Sequence, residues 1–192
     1  MNEFIRFVKS IFPCLYGYNV DEVAQSIKQF QVNPGRSCLT TRIFSESLIQ
    51  GDIVSGIPFI AINDDGEILD NKFYGIVISN SCDIENDATV IVAPLYPLSE
   101  MKNINNSRLD TIKKNLTYSI LYFNDTALQD FFVDFSKLTT FSKAFLQTAV
   151  KEQRVQRLYS LSIFGYYLFL CKLAIHFMRP EDKELITLRP EP

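Results

Sequence analysis

The stretch YGIVISNSCDIENDATVIVAPL, residues 74–95, decides the fold. Gly75-Ile-Val-Ile-Ser79 and Ala88-Thr-Val-Ile-Val-Ala93 are short, rich in β-branched residues and bounded by turn formers, the pattern of strands buried on both faces. A tight hairpin between them would take Asn-Gly or Asp-Gly at its centre, yet Asn80-Ser-Cys-Asp83 offers an amide, a hydroxyl, a thiol and a carboxylate in succession. The structural reading of that loop is favoured: Asp83 accepts backbone amides that the ladder leaves unpaired, and the Cys82 thiol packs at least partly buried as a small hydrophobe. A catalytic thiol would need a base, and the chain has one histidine, His176.

Working outward, the β pattern covers Asp52 to Val54, Pro58 to Ile62, Tyr74 to Ser79 and Thr89 to Pro94, with a turn at Asn63-Asp-Asp-Gly66. Residues 98–118 are polar and read as a loop leading into a helix, after which Tyr118 to Phe123 and Phe131 to Thr140 return to strand. Helices are expected over residues 3–12, stopped by Pro13, from an Asn19 or Asp21 cap to Phe30, and over Thr41 to Ile49. A last helix starts near Ser162 and ends before Pro180. The expected fold is α+β in a single domain, 1–192: N-terminal helices in 1–49, a β-barrel core with a helical insertion in 50–140, and a C-terminal helical segment in 141–192.

The 192 residues are 47% hydrophobic and 21% charged, which excludes disorder as the main theme, and 16 Phe with 9 Tyr predict an aromatic core. Cys14, Cys38, Cys82 and Cys171 lack paired spacing, so neither a zinc cluster nor a disulfide framework is expected. No metal and no cofactor enter the reading. The N-terminus mixes charges among its apolar residues instead of presenting a secretory core, which points to a cytoplasmic protein. Residues 163–178 are apolar but short for a span and include Lys172 and His176, so a buried helix is expected and no membrane partner. Residues 1–100 carry 6 Lys/Arg against 13 Asp/Glu, and residues 101–192 carry 13 against 9. That split fits either a polyanionic partner for the second half or attraction between the halves.

Gln50-Gly-Asp-Ile-Val54, Gly75-Ile-Val-Ile-Ser-Asn80 and Val90-Ile-Val-Ala-Pro-Leu95 occur in the order seen in the MazF/PemK-like toxin family, which the chain resembles over residues 50–97. The resemblance implies a small SH3-like β-barrel and, in active members, metal-independent cleavage of single-stranded RNA. Those members place an arginine between the Gly-Asp and Val-Ser-Asn strands and a Thr or Ser soon after Ala-Pro. Here residues 53–78 contain no arginine, Lys72 is their one cation, and Ser99 is a late substitute. Lysine does not reproduce the two-pronged guanidinium grip on phosphate. The chain is also similar to a bacterial group of unassigned activity through Gly51-Asp52-Ile53, Ser79-Asn-Ser-Cys-Asp83, Ala93-Pro94 and His176-Phe-Met-Arg179.

A binding or regulatory module of bacterial toxin-antitoxin or anti-phage defence type, without catalysis, is therefore the first reading. Its binding candidates are Asn80, Ser81, Cys82, Asp83, Lys151, Arg154, Arg157 and Arg179, although the basic set that also includes Lys137 and Lys143 reads first as a solvated face. The second reading is an endoribonuclease with a rearranged site using Lys72, Asp83, Ser99 or Arg157, and the third a structural partner of another protein. Candidate partners are single-stranded RNA or another nucleic acid, a protein from the same operon, and a second copy of the chain. Asp52 reads as a carboxylate that ties down a neighbouring turn; paired with Asp83 it would instead supply an acid and a base.

Overall fold

The computed structural model describes residues 39–42, 47–62, 65–102 and 104–178. The helices expected over 3–12 and 19–30, and Arg179, lie outside the described residues. Among the described residues, eight antiparallel strands form one sheet, curled into a half-barrel. They are β1 (Thr40–Thr41), β2 (Asp52–Ile62), β3 (Ile68–Val77), β4 (Thr89–Pro97), β5 (Ile120–Phe123), β6 (Phe131–Asp134), β7 (Thr139–Ser142) and β8 (Gln156–Leu161). Among the described residues four helices accompany them: α1 (Ser81–Asn86), α2 (Asn106–Lys113), α3 (Lys143–Lys151) and α4 (Ile163–Met178). The strand order is β1-β8-β2-β3-β4-β6-β5, with β7 also on β4.

The deciding stretch is β3, α1 and β4. β3 lies between β2 and β4, with Ile76 opposite Ile53 and Val77 opposite Val92. Its successive residues serve different cores, as strand alternation requires. Ile76 packs with Ile53, Leu95, Val133 and the α4 residues Leu168, Phe169 and Leu173. Val77 packs with Val54, Ile57, Val92 and the α3 residues Leu146 and Ala149. At Ile76 and Val77 both faces are covered by helices, which is why this end of the strand is apolar without interruption. A third cluster, Ile112, Ile120, Tyr122 and Phe132, lies under α2.

The two segments read as separate strands, Asp52 to Val54 and Pro58 to Ile62, form one strand with a bulge between Val54 and Ile57. Gly56 makes the bulge, at φ +79°, and a Cβ there would lie 2.0 Å from the Arg154 carbonyl oxygen. Only glycine fits that approach. Pro58 falls beyond Ser55, the last β2 residue paired with β8, so its missing N–H lies in the half where β3 is the one neighbour. Phe131 to Thr140 divides the other way, into β6 and β7. Asp134 turns the chain between them by accepting from the Ser136 amide at 3.0 Å and hydroxyl at 2.6 Å.

The start of the expected Thr41–Ile49 helix is instead β1, which pairs with β8, while residues 43–46 lie outside the described set. Both β8 and α3 fall where the sequence was read as a basic face leading to a last helix. That last helix, α4, begins as expected: Ser162 Oγ accepts the Gly165 amide at 3.1 Å. No helix among the described residues is long and apolar enough to cross a membrane.

Lys172 is buried on α4, and its ammonium donates to the carbonyls of Asn115 (2.9 Å), Thr117 (2.7 Å) and Ile120 (2.7 Å). Three protons meet three acceptors, so the buried cation is fully hydrogen-bonded and ties α4 to the turn before β5. Burial pushes it down to about 7, against a weaker opposing effect of Cys171.

Candidate functional site

Asn80 is where the puzzle of the β3–β4 connection resolves. Its side-chain oxygen accepts the Cys82 amide at 2.9 Å, capping α1, and Ser79 Oγ accepts the Ile91 amide at 2.8 Å. The expectation for the loop is thus corrected: Asn80 and Ser79 take the free amides, and Asp83 stands exposed in the first turn of α1. Cys82 is exposed as well, not partly buried. Ile84 is the buried residue of this six-residue helix, and a residue two positions earlier points away from the same face. Ser81 Oγ accepts the Gln50 amide at 3.1 Å, while the Gln50 side chain donates to the Ile78 carbonyl at 2.7 Å and accepts from the Tyr166 hydroxyl at 2.8 Å. The connection is fastened to β2 and α4 on its inner side and open on its outer side.

The catalytic candidates do not converge. Asp83 precedes β4 and Ser99 follows it, in a 3-10 turn at Leu98–Glu100. The nine residues of β4 separate them by roughly 30 Å of extended chain. Lys72 lies on β3 opposite Pro58, beyond the Tyr74–Leu95 pair, which puts it at the Ser99 end of the sheet. His176 packs against Phe135 and Phe177 on α4, and no hydrogen bond among the described residues links it to Cys82.

Asp52 and Asp83 do not form a pair either. Asp52 is fully buried, accepts from the Ser160 hydroxyl and from the Ile49 amide at 2.9 Å, and meets Arg157 Nε at 2.8 Å. Burial raises its carboxyl pKa, opposed by the Ser160 and Ile49 hydrogen bonds and by Arg157. The turn-tying reading of Asp52 holds, and Ser160 is the partner that sequence reasoning missed. Arg157 also donates to the Ser47 carbonyl, so this binding candidate is a clamp between β2, β8 and the 47–49 segment. Arg154 is exposed but paired with Glu152 at 2.6 Å, with its guanidinium 5.7 Å from the centre of the Phe145 ring.

What the fold does assemble is a groove between α1 and α3, about 630 Å³ in volume. Leu48, Ile84, Val90, Leu146 and Val150 give it an apolar floor, and Glu85, Lys143, Gln147 and Lys151 line its rim. Lys143 Nζ donates across it to the Glu85 carbonyl at 2.6 Å. Of the binding candidates, α1 with Ser81 to Asp83 and α3 with Lys151 thus flank one feature. The signal for α3 was present in sequence as Leu146, Ala149 and Val150, spaced by three and four residues. Among the described residues, no group of three or more His, Cys, Asp or Glu is placed to hold a metal ion.

No protein-family model matches the chain, and comparison with curated proteins finds no match. Among solved structures, the chain is similar to one from mycobacterial species described as an endoribonuclease in complex with its cognate antitoxin. The identity is 10%, covering 70% of this chain and 99% of that one, with a TM-score of 0.43. A likeness this loose carries no statement about activity or partner.

Proposed function

We propose that the chain is a cytoplasmic binding or regulatory module of bacterial toxin-antitoxin or anti-phage defence type, built on an SH3-like barrel and acting by docking instead of catalysis. The observation that supports it most is the separation of Lys72, Asp83 and Ser99 to opposite ends of the sheet, while α1 and Lys151 border one apolar-floored groove. Nucleophile, base and charge stabiliser must lie within hydrogen-bond reach of one reacting group, and Asp83 lies at the other end of the sheet from Lys72 and Ser99.

The occupant proposed for the groove is a segment of a partner protein from the same operon, apolar on one side and acidic at its edges. The floor would take the apolar side, and Lys143 and Lys151 at the rim would pair with the acids. Incubating the purified protein with a mixed RNA pool in EDTA, and measuring both binding and cleavage, tests the reading. The expected outcome is no cleavage above background. Reproducible cuts abolished by Lys72→Ala or Asp83→Ala would reverse the ranking of module and endoribonuclease.

A further inference from the structure

A second cavity, about 570 Å³, lies between the Leu98–Glu100 turn, α2 and the strands β4 and β6. Its size is that of a small-molecule site. Aromatic rings line one side: Tyr96 and Phe132 stand 5.7 Å apart, tilted by 33°, and Phe132 is buried in the cluster beneath α2. Three cations reach the same space, Lys102, Arg108 and Lys137. All three are exposed, and none enters an ion pair among the described residues.

The surrounding contacts leave Lys102 and Arg108 available. Asp110, the acid on α2, is taken by Lys114 at 2.7 Å. Lys137 places its ammonium 4.8 Å from the centre of the Tyr96 ring, so charge and ring meet in one place. Two acids also line the cavity, Glu100 and Asp134, the latter accepting from the amide and hydroxyl of Ser136, so the three cations outnumber the anions by one.

We propose that this cavity binds a 5′-phosphorylated nucleoside, free or at the end of a strand, with the base against Tyr96 and Phe132 and the phosphate on Lys102 and Arg108. A flat π-system suits the rings, and a dianion suits the cations, with Arg108 able to grip two phosphate oxygens at once. A wholly apolar ligand would cover unpaired charges without compensation.

Calorimetric titration of the full chain with AMP, GMP, CMP and UMP tests it. At least one should bind with a Kd below about 1 mM, and the matching nucleoside and inorganic phosphate should each bind at least about tenfold more weakly. Joint Lys102→Ala and Arg108→Ala substitution, at exposed positions, should weaken binding about tenfold, and Tyr96→Leu should do so independently. If Tyr96→Leu fails to fold, the double variant still decides the matter. Displacement by a short 5′-phosphorylated RNA but not by its dephosphorylated form would assign the site to strand ends, and displacement by neither to free nucleotides. Absence of binding at about 5 mM of every nucleotide, or binding that the double variant leaves unchanged, overturns the proposal.

Discussion

The Asp52 carboxylate meets Arg157 Nε at 2.8 Å, with Asp52 fully buried and the Arg157 side chain 15% exposed. The two residues sit on neighbouring strands, and the pair closes the β2–β8 ladder over the segment carrying Ser47 and Ile49. Breaking a buried pair costs far more than the pair itself contributes, because one charge is left behind without a partner. Arg157→Ala is therefore expected to lose about 3 kcal/mol of stability at pH 7, while Asp52→Asn combined with Arg157→Met loses less. Burial already raises the Asp52 pKa, so the folded state binds the proton more tightly than the unfolded chain. The group's contribution is fully present below its ordinary value of 3.8 and is lost as pH rises through the raised value. Removing Arg157 takes away an effect that lowers that pKa, so the deficit of Arg157→Ala should shrink as pH falls. Chemical denaturation at several pH values measures this.

The sheet interior supplies a sharper contrast. Val77 is fully buried between two partner strands, whereas Ile60, on the half of β2 that β8 does not cover, is 66% exposed. Val77→Asp is expected to cost about 4 kcal/mol or more through an unpaired buried charge, and Ile60→Asp less than about 1 kcal/mol. Equal melting temperatures for the two variants would contradict the placement of β3 at the centre of the sheet.

Lys172 gives a pH signature of opposite sign. Its folded pKa, about 7, lies below the ordinary 10.5, so between those values the unfolded chain holds a proton that the folded one has released. Its contribution is present above 10.5 and is lost as pH falls through about 7. The neutral amine has two protons for three carbonyls, which trims the gain without changing its direction. Stability should thus rise from pH 7 to pH 9.5, and Lys172→Met should flatten that rise. The same variant should cost about 3 kcal/mol by stranding the Asn115, Thr117 and Ile120 carbonyls. A rise of equal slope in both proteins would show that another group titrates.

The β3–β4 core was legible because its information is local. Gly75 to Ile78 and Val90 to Pro94 carry no polar side chain, and that pattern means burial on both faces wherever the partners come from. β8 was not legible, since Gln156 to Leu161 becomes a strand through pairing with Asp52 to Ser55, about a hundred positions away. The groove was half legible for the same reason. Asn80 to Asp83 drew notice as a polar run, but its role as a cap and the approach of α3 are tertiary facts. Arg157 looked like surface charge until its acid, Asp52, arrived from the other half of the chain.

The two described thiols should behave differently in the native protein. Cys82 is exposed on the outer side of α1, which is held to the body by Ile84 and by the Asn80 cap. Cys171 is 2% exposed on the buried side of α4, and burial pushes its thiol up to about 12 despite Lys172 beside it. Alkylation needs both access and the thiolate, and Cys171 lacks both. Treating the native protein with iodoacetamide at pH 8 and mapping the modified peptides should therefore show Cys82 labelled and Cys171 labelled only after unfolding. Protection of Cys82 until unfolding would mean that α1 is covered or packed more deeply than the geometry shows.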